Sequence, residues 1–322
     1  MLPLSLLLRT LRSVCIGVLA TAALFSFAKD SQAQPIGGVA VSFPTQDESG
    51  NRLALRAMLW LPLEVARGAV VLVHGSGGWS DYIEGHYGRA LSAAGYAALA
   101  IDTFGPRGIG KISEDQAQIT AMQMTRDAFW ARRFLLERGF PANHVAVMGF
   151  SKGGMAALYA ADRNFLPLEV DRFTAALPFY PACNSRPRMP KPASTVFMAL
   201  GEKDDYTGVK PCQDIADDFA KAGGKIAVKI YPNSSHEFDG NPARTGMINL
   251  RFIENYKDCV EYIEEDGNST YAGKSYKPDD KSIYLDMRKS CARKGASVWT
   301  NTEQKEIATR DAINFLNQSF AK

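Results

Sequence analysis

The sequence predicts an α/β fold, a mostly parallel central sheet with helices on both faces. Three observations predict it. Strand-like and helix-like segments alternate along most of the chain. Most of the strand-like segments are continuous apolar runs, such as GAVVLVHG from Gly68 and VAVMGF from Val145, the pattern of strands covered on both faces. The chain of 322 residues is 46% apolar and 22% charged, which supplies a large core for one large domain or two small ones.

The elements follow in order. Val39–Phe43 and Leu53–Leu61 read as strands joined by the polar turn PTQDESGN. Gly68–Gly75 is a buried strand. Gly85–Tyr96 reads as a short helix and Ala97–Asp102 as another buried strand. A long helix is expected over Ser113–Gly139, with Ser113 as cap, acidic residues in the first turn and Gly139 as its stop. VAVMGF then switches abruptly into the small-residue helix GGMAALYAA. TAALPFYPA and STVFMALGEKDD supply two further strands, CQDIADDFAKAGG a helix, and KIAVKIYPNSSHEFD a last strand running into a loop. TEQKEIATRDAINFLNQSFA closes the chain as an amphipathic helix. The segment Asn241–Asn301 interrupts this alternation. It reads as an insertion before the last helix, helical within GMINLRFIENYKDCVEYIEE and stapled by Cys259 and Cys291.

The first 33 residues differ in kind. Arg9 and Arg12 precede an apolar run from Val14 to Ala28, and Ser31-Gln32-Ala33 ends the stretch in a small-x-small pattern. This is the plan of a signal peptide, with the exported domain starting at Gln34. The apolar run is shorter than the ~20 residues of a membrane span, so no stable span is expected after signal removal. Export to a periplasmic or extracellular space leaves Cys183, Cys212, Cys259 and Cys291, an even number that reads as two disulfides. Three pairings are open. The sequential one, Cys183–Cys212 with Cys259–Cys291, is favoured because each bond closes a moderate loop. No cysteine or histidine spacing suggests a metal site. The net charge of +3 comes without a basic block, so neither nucleic acid nor an anionic membrane surface is expected as a partner.

The switch at VAVMGFSKGG carries the chemistry. G-x-S-x-G between a buried strand and a helix is the pattern of a nucleophile elbow, with Ser151 flanked by Gly149 and Gly153. A serine nucleophile needs a base, and the base an orienting acid, in the chain order Ser, acid, His. His236 is the sole histidine after Ser151. His74 reads as a turn-shaping residue, His86 as a surface residue and His144 as a solvated loop residue. The acid is expected after the preceding strand, where GEKDD offers Asp204, then Asp205, with Glu202 weaker. The backbone N–H of Lys152 is one expected oxyanion donor. The loop HGSGGW supplies the other, Ser76 first and Gly77 second.

With these residues the chain resembles the α/β-hydrolases, and within them the dienelactone hydrolase family. The resemblance runs from Gly68 to Asp239 plus the final helix, on VLVHGSGGW, IDTFGPRG, GFSKGG, ALGEKDDYT and YPNSSHEFD. It implies hydrolysis of small-molecule esters or lactones without a cofactor, and agrees with Ser151, Asp204 and His236 as triad. The founding members carry a cysteine nucleophile where this chain has Ser151, so dienelactone specificity does not transfer. A peptidase or acyltransferase on the same triad, and a binding protein that kept the fold, are the alternative functions. Oligomeric state is not legible.

Overall fold

The computed structural model describes residues 37–47, 49–165 and 172–321; the leader reading on residues 1–33 lies outside them. β1 (Val39–Gln46) and β2 (Arg52–Trp60) form an antiparallel hairpin. The parallel strands are β3 (Ala69–Val73), β4 (Ala97–Asp102), β5 (Val145–Phe150), β6 (Ala175–Phe179), β7 (Thr195–Gly201) and β8 (Ile226–Tyr231). Their order across the sheet is β1-β2-β4-β3-β5-β6-β7-β8. β2 runs antiparallel to β1 and β4, and every later pairing is parallel.

The continuous apolar strands have the burial their pattern requires. Val71 and Val73 of β3 pack on one face, with α2 (Ala121–Leu136), α3 (Lys152–Ala160) and α4 (Lys210–Lys221). Val70 and Leu72 pack on the other, with α1 (His86–Ala93) and α6 (Thr302–Phe320). Each such side chain contributes about 1.5–3 kcal/mol relative to its exposed state. β5 lies inside the sheet between β3 and β6, so the residue after its end sits at the carboxyl edge where ligands of such sheets bind.

Two expected elements differ. The long helix begins at Ala121 rather than Ser113, and its cap is Thr120, whose Oγ1 accepts from Gln123 N at 3.1 Å. The backbone from Ser113 to Gln116 is committed to the insertion instead. Ser113 O accepts from Glu254 N at 2.8 Å, and Gln116 N donates to Glu254 Oε2 at 2.8 Å.

The insertion also lacks a helix where one is expected. Ile253, Tyr256, Cys259 and Ile263 are buried at near-helical spacing, but the backbone pairs with distant chain. Ile248–Asn249 pairs with Ser297–Val298, and Glu254–Asn255 with Arg293–Lys294. Glu261–Ile263 joins Ser185–Pro187 in a small four-stranded sheet. The insertion's helix is α5 (Ser282–Ser290), which buries Ile283 and Met287 one turn apart. Disulfides join Cys183 to Cys212 and Cys259 to Cys291, across 29 and 32 residues. Loops of this length stabilise by about 3–4 kcal/mol in the chain-entropy account. The first ties the loop after β6 to α4, and the second ties the insertion's strands to the end of α5.

Candidate active site

Ser151 occupies the single-residue turn between β5 and α3. Its backbone has φ 54 and ψ −116, a conformation that costs a non-glycine residue about 1–3 kcal/mol. The two glycines make the turn possible. A Cβ on Gly149 would lie 1.9 Å from Gly153 O, and one on Gly153 would lie 2.1 Å from Val73 O. No side chain fits at either place. Ser151 N donates to Phe179 O at 3.0 Å, which pins the turn to β6.

The loops after β7 and β8 bring the partners. His236 Nε2 is 2.9 Å from Ser151 Oγ, and its Nδ1 is 2.8 Å from Asp204 Oδ2. The His236 and Asp204 side chains are 5% and 3% exposed. Asp204 Oδ1 accepts from the N–H groups of Tyr206 and Thr207, both at 2.8 Å, and Oδ2 accepts from Thr207 Oγ1 at 2.7 Å. An ionised carboxylate only accepts, so Nδ1 carries its proton toward Asp204 and Nε2 is left to accept from Ser151. Burial works to raise the Asp204 carboxyl, but the His236 charge and hydrogen bond, with Thr207, hold it below the ordinary range. Burial likewise works against imidazolium at His236. Asp204, then Glu237 and Asp239, overcome it and raise the imidazole above its usual value.

The other expected residues fall elsewhere. Asp205 faces away from the histidine, its Oδ1 accepting from Ser297 N of the insertion at 2.9 Å. Glu202 accepts from Asn233 N at 2.9 Å and ties the loop after β7 to the loop after β8. His74 is buried with Nδ1 2.8 Å from Gly75 O, while Nε2 accepts from Thr103 N at 3.2 Å, so it joins two loops as a turn-shaping residue. His86 is not a surface residue. It is half-buried between helices, with Nε2 2.9 Å from Thr309 Oγ1.

Ser76 and Lys152 both line a pocket at Ser151. Lys152 N is the first of α3, where the helix leaves its N–H groups unpaired. Among the described residues none accepts from Ser76 N or Lys152 N. The Ser76 loop is held by its carbonyl, which accepts from Ile112 N at 2.9 Å, and by Ser76 Oγ, which donates to Gln116 Oε1 at 2.9 Å. The Lys152 side chain is buried. Its Nζ donates to Gln116 O at 2.5 Å, and burial pushes the ammonium down to about 7 against the pull of Glu254 and Asp115.

Several residues of the site lie outside the sequence motifs. The rings of Tyr180 and Tyr206 meet His236 edge-on, each at 4.8 Å. Tyr180 OH donates to buried Asp239 at 2.7 Å, and Tyr87 OH to the same carboxylate at 2.9 Å. Tyr206 OH donates to Glu254 O at 2.9 Å. Tyr180 could have been found by its place just after a strand end; Glu254, in the insertion, could not. Two cavities reach Ser151. An inner pocket of about 60 Å³ runs under the insertion, and an outer cleft of about 630 Å³ opens past His236 and Trp79. Among the described residues no group of His, Cys, Asp or Glu is arranged to hold a metal ion, and no helix is long and apolar enough to cross a membrane.

A serine elbow after a central strand of a sheet in this order, with a carboxylate after β7 and a histidine after β8, is the arrangement of an α/β-hydrolase. The chain matches the dienelactone hydrolase family model over residues 55–265 and belongs to that family. It is accordingly a carboxylic ester hydrolase acting on small molecules. Among curated proteins none matches the chain significantly. Similar solved structures include a native esterase from Thermogutta terrifontis, at 16% identity and TM-score 0.47, covering 64% of this chain and 86% of that one. An α/β-hydrolase from a Medee basin deep-sea metagenome library has 19% identity and TM-score 0.48, covering 63% and 85%. A dienelactone hydrolase-like promiscuous phosphotriesterase from metagenomic libraries has 21% identity and TM-score 0.47, covering 63% and 84%.

Proposed function

We propose that the protein is an exported serine esterase that cleaves carboxylic esters or lactones through Ser151, His236 and Asp204 and an acyl-enzyme. The observation that carries this reading is the unbroken hydrogen-bond chain from Ser151 Oγ through the imidazole to Asp204, starting at a strained elbow. His236 Nε2 takes the Ser151 hydroxyl proton as Oγ attacks the carbonyl carbon. The N–H groups of Ser76 and Lys152 receive the oxyanion. The bond to the alcohol oxygen then breaks, and that oxygen takes the proton from Nε2. A water deprotonated by the same nitrogen hydrolyses the acyl-enzyme and restores Ser151. Asp204 holds the tautomer and stabilises the imidazolium. Export is supported by two disulfides, which persist in oxidising compartments, and by the signal-like start, with residues 34–322 as the hydrolase domain and 241–301 as its insertion.

The test is covalent labelling. An organofluorophosphonate is expected to modify Ser151 alone, and Ser151→Ala to abolish both labelling and turnover of p-nitrophenyl acetate. Labelling at another serine, or wild-type turnover in the alanine variant, rejects the assignment.

A further inference from the structure

The two cavities at Ser151 are lined differently. Both reach Ser76 and Ser151, but His236 lines the outer cleft and not the inner pocket, whereas Lys152 and α5 line the inner pocket and not the cleft. The inner pocket is bounded by buried side chains, the apolar ones being Met155 on the side of α3 and Tyr256, Ile283 and Met287 on the side of the insertion, with buried Lys152, Glu254 and Glu261 among the polar ones. Half-buried Tyr284 completes that wall. The cleft is some ten times larger and carries exposed aromatic surface, Trp79 at 39% and Phe252 at 73% exposure.

Reaction geometry gives this asymmetry a meaning. The leaving oxygen must come within hydrogen-bond reach of His236 Nε2, because it takes its proton there as the ester bond breaks. The alcohol portion therefore lies on the side of Ser151 that the imidazole faces. With the oxyanion directed at the Ser76 and Lys152 N–H groups, the carbonyl's remaining substituent lies on the other side. We infer that the acyl chain enters the inner pocket and the alcohol the outer cleft, so that Tyr256, Ile283, Tyr284 and Met287 of the insertion set the acyl length accepted. The inference rests on the assignment of Ser151 and His236 above. The substrate class it names is esters of short acyl groups with bulky, including aromatic, alcohols.

The wall is fixed rather than yielding. Cys259–Cys291 locks the end of α5 to the insertion's strands. Arg288, one residue beyond Met287, donates from Nε to Glu254 Oε1 at 2.7 Å. The rings of Tyr256 and Tyr284 pack edge-on at 5.4 Å. A pocket bounded in this way rejects a surplus methylene, a discrimination on the order of 10–200-fold for apolar sites.

The experiment compares two ester series on the full exported enzyme. The acyl series is p-nitrophenyl acetate, butyrate, hexanoate and octanoate. The alcohol series is ethyl, phenethyl and naphthylethyl acetate, whose leaving groups have similar acidity. The expected result is a fall in kcat/KM of about 10-fold or more between butyrate and octanoate, with no comparable fall along the alcohol series. Tyr284→Ala should raise the octanoate-to-acetate ratio about 10-fold and leave the alcohol ratios unchanged, while Phe252→Ala should do the reverse. Tyr284→Leu replaces the alanine variant if that one fails to fold. A flat acyl series, a steep alcohol series, or a Tyr284 variant that moves the alcohol ratios overturns the inference. Absence of turnover on every ester, with Ser151 unlabelled, would instead reject the site assignment.

Discussion

Neutralising Asp204 while keeping its shape separates its role from that of its neighbour. In Asp204→Asn one oxygen remains and one becomes an amide nitrogen. Oδ1 accepts from two backbone N–H groups, of Tyr206 and Thr207. Those donors cannot turn away, so the amide oxygen must stay there. The amide nitrogen then takes the place of Oδ2, 2.8 Å from His236 Nδ1. It can only donate, which forces Nδ1 to accept and moves the ring proton to Nε2. Nε2 then points a proton at Ser151 Oγ and can no longer take one. A triad acid neutralised in this way costs about 10⁴ in kcat, or about 5 kcal/mol of barrier. Asp205→Asn should cost less than about 10-fold, because Asp205 bonds Ser297 N of the insertion rather than the base. The assay is p-nitrophenyl acetate turnover per titrated active site, with thermal melts to show that both variants fold. A loss below 10-fold in Asp204→Asn, or the opposite ranking, refutes the reasoning.

Three further outcomes are expected. The kcat/KM should fall as pH drops and His236 protonates, with a midpoint above the ordinary imidazole value of about 6.5, because Asp204 overcomes burial to raise it; a pH–rate profile with a midpoint below that value contradicts the pairing. Burial pushes Glu84 up to about 8, against the Ser80 N–H it accepts. The stability it contributes is therefore full below its unfolded value near 4.5 and drains away as pH rises through 8, by up to about 1.4 kcal/mol per pH step. Glu84→Gln should flatten the fall in melting temperature between pH 5 and 8, and an unchanged slope would exclude Glu84 as its source. Intact-mass analysis of protein from an exporting host should find a chain starting near Gln34 with no alkylatable thiol; retained residues 1–33 or free thiols would reject the export reading.

The parts of the molecule legible in the sequence are those whose constraints are local. A strand buried on both faces must be apolar throughout, so β3, β4, β5, β6 and β7 stand out as runs. An elbow with carbonyls 1.9 and 2.1 Å from a would-be Cβ must have glycine there, so Ser151 stands out too. Asp204 was harder to separate from Asp205. They are adjacent carboxylates, and what divides them is the direction each faces, toward His236 or toward Ser297. The segment IDTFGPRG was legible as a pattern without a role. Its role is structural: Asp102 pairs with Arg56 at 2.8 Å, and Arg107 pairs with buried Asp127 at 2.8 Å. Asp127 also accepts from Thr45 Oγ1 at 2.9 Å, so the segment ties α2 to the hairpin. The start of α2 and the backbone of the insertion, though not its Cys259–Cys291 staple, depart from the local pattern because their backbone partners lie far away in the chain, where periodicity carries no information.

Those distant partners also decide what kind of element the insertion is. A lid that opens and closes shares few bonds with the catalytic loops it covers. Here the bonds reach the loops that carry Asp204 and His236. Asn255 Nδ2 donates to Asp205 O at 3.2 Å, and Ser297 N donates to its carboxylate, beside Asp204. Val298 forms a β-bridge with His236, and around it Trp299 N donates to Ser235 Oγ at 2.8 Å and Asn301 N donates to Phe238 O at 2.8 Å. Glu254 accepts from Gln116 N and from Tyr206 OH, next to the Ser76 loop and Asp204. The insertion therefore braces the loops that carry Asp204 and His236 while its α5 face walls the inner pocket. The two roles use different atoms. Bracing runs through backbone groups and through Glu254, Asn255 and Asp205; the apolar wall is Tyr256, Ile283, Tyr284 and Met287, of which Tyr256 also donates from its OH to Glu254 Oε2 at 3.0 Å. Changes at Ile283, Tyr284 and Met287 can thus alter which acyl groups fit without loosening the loops of Asp204 and His236, whereas Arg288 of the same helix bonds Glu254. Excising residues 241–301 would remove both functions at once, so the enzyme's acyl preference has to be read from point substitutions.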